Sequence, residues 1–284
     1  MFRKLFVIIL ITSMFLSACS FTISLPNMQK AGPTVIDQIN VPLPGSTSQP
    51  VDLSLKFGAG ILKLNSGASS LVSGTATYNV SDFKPTVTVN GSSISIVQGN
   101  WKLTGIPDVT NIKNEWDLAL GSVPIALTIA GGAYQAEYEL GGLNLASVSI
   151  SDGAADSKLN FASPNLTEMS LLSYSTGASQ VSLTGLGNAN FTNLEFNSGA
   201  GNYTLDFSGQ FQRNASVHIG TGVSNLTLVI PSGVPAQVTV DGALSNVNYG
   251  TGWDKHGNVY TQAGTGPQLT IVAEIGAGNL TLTR

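Results

Sequence analysis

Leu194-Glu195-Phe196-Asn197-Ser198-Gly199-Ala200-Gly201-Asn202-Tyr203-Thr204-Leu205 decides the fold. Apolar residues stand five and three positions before Gly199, and again four and six positions after it. Each half alternates with period two, as a strand half-buried against one core must. The centre is Gly-Ala-Gly, a corner of small residues where the chain needs positive φ or close backbone approach. One unit is therefore strand, corner, strand.

The same unit recurs along the chain. With Gly58, Gly132, Gly153, Gly177, Gly199, Gly222 and Gly276 as anchors, the preceding pairs are Leu53/Leu55, Leu127/Ile129, Val148/Ile150, Leu172/Tyr174, Leu194/Phe196, Val217/Ile219 and Ile271/Ala273. Pairs after the corner include Leu62/Leu64, Val181/Leu183, Tyr203/Leu205, Leu226/Leu228 and Leu280/Leu282; the Gly153 unit breaks the pattern at Ser157 and recovers at Leu159 and Phe161. Between Gly132 and Gly222 the anchors fall 21, 24, 22 and 23 residues apart. About 22 residues at ~3.3 Å each trace a turn of about 70 Å, and such turns stack at ~4.8 Å. The expected fold is all-β, a right-handed single-stranded β-helix-like solenoid with ~22-residue repeats. A sandwich of hairpins is the alternative; the steady period without Asn-Gly turns between units favours coiling.

Two regions interrupt the period. Residues 66–126 contain Thr86–Val89 and Ile94–Val97 around Asn90-Gly91, which predicts a hairpin, and this irregular part is a candidate end cap. Residues 231–262 hold Pro231, Pro235, Trp253 and His256 and read as a degenerate turn with a loop.

At the N-terminus, Arg3 and Lys4 precede an apolar run from Leu5 to Leu16. That run is shorter than the ~20 residues that span a bilayer and fits a signal peptide. Leu16-Ser17-Ala18-Cys19 resembles the lipobox of bacterial lipoproteins, which implies cleavage before Cys19 and lipid on its thiol. Residues 1–18 are thus expected to be a leader. Residues 19–49, with four prolines and Pro50 just beyond, are expected to be a tether, and residues 50–284 the β-repeat domain. The membrane partner is lipid through Cys19, and the location is extracytoplasmic, anchored to the bacterial cell membrane. Cys19 is the sole cysteine, so no intramolecular disulfide is available. Only 10% of residues are charged, the net charge is −4 and mean hydropathy is +0.21. No basic cluster offers a footprint for nucleic acid.

Phe57-Gly58-Ala59-Gly60-Ile61-Leu62-Lys63-Leu64, Gly74-Thr75-Ala76-Thr77-Tyr78-Asn79, Asn114-Glu115-Trp116-Asp117-Leu118, Asn197-Ser198-Gly199-Ala200-Gly201 and Leu205-Asp206-Phe207-Ser208-Gly209 together resemble the toast-rack family over residues 50–284. The resemblance implies an extracytoplasmic β-helix-like domain. Some relatives are fused to transmembrane regulators of envelope stress; this sequence shows no transmembrane helix. The family has no established catalytic residues to carry over.

Residues with chemical potential are few. His218 alternates towards solvent, and His256 sits in a Lys-His-Gly-Asn turn, a poor supply for zinc. Asp152 and Asp156 flank a Gly-Ala-Ala corner and could share calcium, although turn-forming Asp is the commoner role. Glu137 and Glu139 share a strand face, spaced like a glycosidase pair but better read as a solvated face. No nucleophile elbow appears, and no helix follows Gly58-Ala59-Gly60 or Gly276-Ala277-Gly278 to hold a phosphate. Trp101, Trp116 and Trp253, with His256, could bind a ligand such as a sugar, or the tryptophans could plug the core. No metal and no cofactor is expected. The expected function is a noncatalytic, lipid-anchored envelope scaffold that binds an envelope protein or glycan or acts structurally. Sensing in envelope stress regulation is the alternative. A polysaccharide-active enzyme is disfavoured because Arg occurs only at positions 3, 213 and 284.

Overall fold

The computed structural model describes residues 31–45, 49–100, 111–243 and 246–284. Apart from Asn111, these fall in one compact unit. The described residues contain strands and short 3-10 turns and no α-helix.

Seven long strands form the body: β2 (Val51–Ala68), β7 (Ile125–Glu139), β8 (Leu145–Asn160), β9 (Met169–Thr184), β10 (Phe191–Asp206), β11 (Ala215–Val229) and β16 (Leu269–Thr283). They pair in parallel, in that order. The anchors aligned by sequence are register partners. Leu53, Leu127, Val148, Leu172, Leu194, Val217 and Ile271 lie opposite one another, rung to rung. The residues two further on make a second such column, and the positions four and six after each glycine make two more. Most members of these columns are fully buried, each side chain contributing about 1.5–3 kcal/mol by leaving water.

At every corner after Gly58 the glycine is required by close approach to the backbone of the preceding rung. A Cβ on Gly199 would lie 2.6 Å from the carbonyl oxygen of Gly177, and one on Gly276 would lie 2.7 Å from that of Gly222. Gly and the following small residue both face outward, so the alternation shifts phase and both arms present their apolar rows to one interior.

The loops joining successive rungs close that interior with asparagines. Asn165, 1% exposed, accepts from the Leu145 N–H and donates to the carbonyls of Leu145 and Thr167. Asn190 donates to the Thr167 carbonyl one rung away and accepts from Arg213 Nε, whose guanidinium also meets Glu168 at 2.6 Å.

Four further strands lie before β7 and flank β2. β5 (Ser93–Gln98) runs parallel to its first arm and carries β4 (Pro85–Asn90) antiparallel on its other side. β6 (Asn114–Gly121) runs parallel to the second arm and carries β3 (Val72–Tyr78) antiparallel. The expected hairpin is present as β4–β5, with Gly91 and Ser92 in its loop. β1 (Val35–Val41) pairs antiparallel with β3. The sheet therefore begins at Val35, inside the segment expected to be tether as far as residue 49. That proline-rich segment spares Val35 to Val41, whose Ile39 and Val41 enter the core. At the other margin β16 pairs with β12 (Ala236–Gly242) and β13 (Asn246–Tyr249), and β12 with β15 (Val259–Gln262), which pairs with β14 (Asp254–His256).

Candidate functional site

The break in the repeat at Ser157 marks a polar cluster inside the apolar columns. Just before its corner, β7 carries Gly131, which has no side chain to fill the interior. The Tyr134 ring from beyond the same corner occupies that space; a Cβ on Gly131 would strike it. Its hydroxyl donates to one carboxylate oxygen of Asp152 on the next rung. Tyr174, on the rung after, donates to the other oxygen. Tyr138 completes the chain, its hydroxyl 2.9 Å from that of Tyr134. Ser157 is fully buried; its hydroxyl faces that of Tyr174 without a hydrogen bond of good geometry.

Asp152 is 7% exposed. Burial pushes its carboxyl above the usual range, opposed by the hydroxyls of Tyr134 and Tyr174, which favour the charged form. Burial first, then the neighbouring carboxylate and hydroxyls, pushes the Tyr134 phenol far up, and Tyr174 moves the same way. The cluster thus holds a carboxylate against neutral phenols.

Asp152 also reaches the surface. It borders a groove of about 390 Å³ that crosses β8 to β11 beside the corners. Ser151, Ser175, Asn197 and Gly220 form its outer row, in register, and Asp152, Thr176 and Ser198 the inner one. Every side chain there is a hydroxyl, an amide or the one carboxylate.

The residues singled out by sequence do not come together. Cys19 and Trp101 lie outside the described residues. Trp116 is fully buried in β6, edge-on to Phe57 at 5.2 Å. Trp253 is 6% exposed and belongs to the same core. Both rings pack within the core cluster. His256 ends β14 in an exposed position, away from the groove. Asp156 points outward while Asp152 points inward, because the corner between them shifts the alternation, so the two carboxylates do not converge. Glu137 and Glu139 lie on the exposed face, Glu137 in register between Lys63 and Lys158, and Glu139 accepting from Asn160 at 2.8 Å. Among the described residues no group of three or more His, Cys, Asp or Glu converges. Sequence reading missed Tyr134, Tyr138 and Tyr174 as hydrogen-bonding residues. The signal was present: an inward Asp, an inward Ser and a missing side chain at Gly131 on adjacent rungs.

Known proteins place this architecture. The chain matches the family described as "N-terminal domain of toast_rack, DUF2154" over residues 30–171 and 165–229. No curated protein matches it. A candidate cell adhesion protein from Clostridium sporogenes is similar in structure, with a TM-score of 0.50 at 18% identity over 88% of this chain and 99% of the other. A candidate lipid-binding protein from Parabacteroides distasonis (TM-score 0.38, 12% identity, 88% and 97% covered) and a candidate adhesin from Bacteroides fragilis (0.32, 10%, 88% and 97%) are more distant. With the sequence match extending over most of its length, this chain belongs to the toast-rack family.

Proposed function

We propose that the protein is a noncatalytic binding scaffold of the cell envelope, extracytoplasmic and lipid-anchored through Cys19, whose rungs coil right-handedly. The hand follows the general rule for parallel strands joined by crossovers. The carrying observation is the groove over β8–β11, where hydroxyls, one amide and one carboxylate stand in register on three successive rungs, with Gly220 leaving the fourth open. Groups arrayed in this way on rigid strands lose little freedom when they bind a glycan or a polar protein surface. Adhesion, the role named for the Clostridium relative, accords with such a surface.

The test is retention on envelope fractions. The purified full chain should be retained, and Asn197→Trp, which fills the groove from an exposed position, should weaken retention at least about tenfold, or ~1.4 kcal/mol. Equal retention of both proteins, or of neither, overturns the groove. Labelled palmitate should enter the wild-type chain and not Cys19→Ala; equal labelling overturns the anchor.

A further inference from the structure

The interior columns do not end alike at the two margins of the sheet. At one margin the column through Ile271 continues to Val238 and Tyr260 and then to Lys255, whose ammonium lies 5.3 Å from the Tyr260 ring centre. A charge closes it. At the other, Leu53 continues to Ile94 and then Val89, and Leu55 to Ile96 and then Val87. Ile94 and Ile96 are 2% and 0% exposed, whereas Val89 and Val87 are 54% and 42% exposed. The core face runs onto β4 and stops there uncovered.

The backbone of β4 is equally open. Among the described residues β1, β4, β13 and β14 each have a single strand partner. An edge of this kind is a template for another strand unless charge, brevity or proline blocks it. β1 carries Asp37, β14 carries Asp254 and Lys255, and β13 has four residues. β4 has six, Pro-Thr-Val-Thr-Val-Asn, and its one guard, Pro85, sits at the first position. The uncharged row is also self-complementary. Two copies laid antiparallel about an axis through Thr88 place each Val87 opposite the other copy's Val89 on one face, and Thr88 opposite itself on the other. Identical strands without charge meet no like-charge repulsion in that register, and a two-fold contact closes after two copies.

We propose that β4 is a homodimerisation edge: two copies of this chain join β4 to β4 antiparallel, and the paired sheets continue the Val87 and Val89 rows across the junction. One strand pair makes a small interface, so the association is weak and concentration-dependent.

The full chain in detergent should sediment as a monomer–dimer equilibrium that shifts with concentration. Val87→Lys combined with Val89→Lys should hold it monomeric with its thermal midpoint unchanged, since both side chains are exposed. Thr88→Cys should give a disulfide-linked dimer under mild oxidation, reversed by thiol, where the wild-type chain gives none. A chain that stays monomeric to about 1 mM without the Thr88→Cys crosslink overturns the proposal. So does a dimer indifferent to the double lysine variant, a polydisperse aggregate in place of a dimer, or a Thr88→Cys crosslink to a different protein in cells.

Discussion

Tyr134 and Asp152 occupy successive rungs on opposite sides of the glycine corner, and the phenol of the first donates to the carboxylate of the second inside the core. The bond crosses from one arm to the other, which backbone pairing between rungs cannot do. Tyr174 holds the second oxygen from the next rung. Three rungs are therefore tied through one buried carboxylate.

That carboxylate makes stability depend on pH in a stated direction. Burial raises the Asp152 pKa in the folded state, so the fold binds this proton more tightly than the unfolded chain does. Its contribution is most favourable below about pH 4, the unfolded value, and declines as pH rises through the folded value. Asp152→Asn removes that decline. Measured by urea unfolding from acid to neutral pH, the variant should gain stability relative to wild type as pH rises. Parallel profiles would mean the carboxyl titrates normally.

Ser157 gives the opposite test of the same cluster. Its hydroxyl is buried without a good hydrogen bond, and an unmade bond costs about 1–3 kcal/mol in a core. Ser157→Ala should therefore be neutral or stabilising by up to ~1 kcal/mol in the same unfolding assay. A loss larger than ~1 kcal/mol would show that Ser157 has a partner that matters, and would make it a full member of the tyrosine chain.

The columns were legible because period two and the glycine corners fix register together: once Leu194 and Val217 are aligned by their glycines, every inward residue between them follows. The two margins were less legible. β1 escaped because five prolines around it made residues 19–49 read as tether, while pairing with β3 is a long-range choice that local composition does not encode. Trp116 and Trp253 were ambiguous for the same reason, since a tryptophan beside a repeat suits a core plug and a ligand platform equally until its burial is known. The Asp152 cluster lay between these cases. The Ser157 exception was visible, but linking it to Tyr134 needs the ring to cross the gap left by Gly131, which spacing alone does not show.

The asparagine closure of the loops should carry real stability. Asn165→Ala removes three hydrogen bonds and leaves the Leu145 N–H and carbonyl without this partner, while the Thr167 carbonyl keeps the Asn190 amide. At ~1–3 kcal/mol for an orphaned buried group, partly recovered by water, the loss should be about 2–4 kcal/mol. Asn193→Ala, at an exposed position with one 3.3 Å bond to the Ser170 carbonyl, should cost less than ~0.5 kcal/mol. Similar losses for both would remove the distinction drawn between the loop and the outer face.

The glycine corners allow the sharpest comparison, because the reason for glycine differs between positions of the same residue type. In Gly199→Ala the new methyl would lie 2.6 Å from the Gly177 carbonyl oxygen, closer than carbon and oxygen tolerate. That oxygen belongs to a backbone whose neighbours Thr176 and Ala178 are paired with β10 in the parallel ladder, so it cannot yield without shifting a rung. The expected cost is about 1–3 kcal/mol, as for other overpacked sites. Gly250→Ala meets nothing within 4 Å and sits at no positive φ, so it should stay within ~0.5 kcal/mol of wild type. Gly199→Ala offers the unfolded chain the same entropic restriction as Gly250→Ala, so the difference between their unfolding free energies isolates the clash. If that difference vanishes, the corner is set by chain flexibility and the rungs do not approach as closely as the ladder requires.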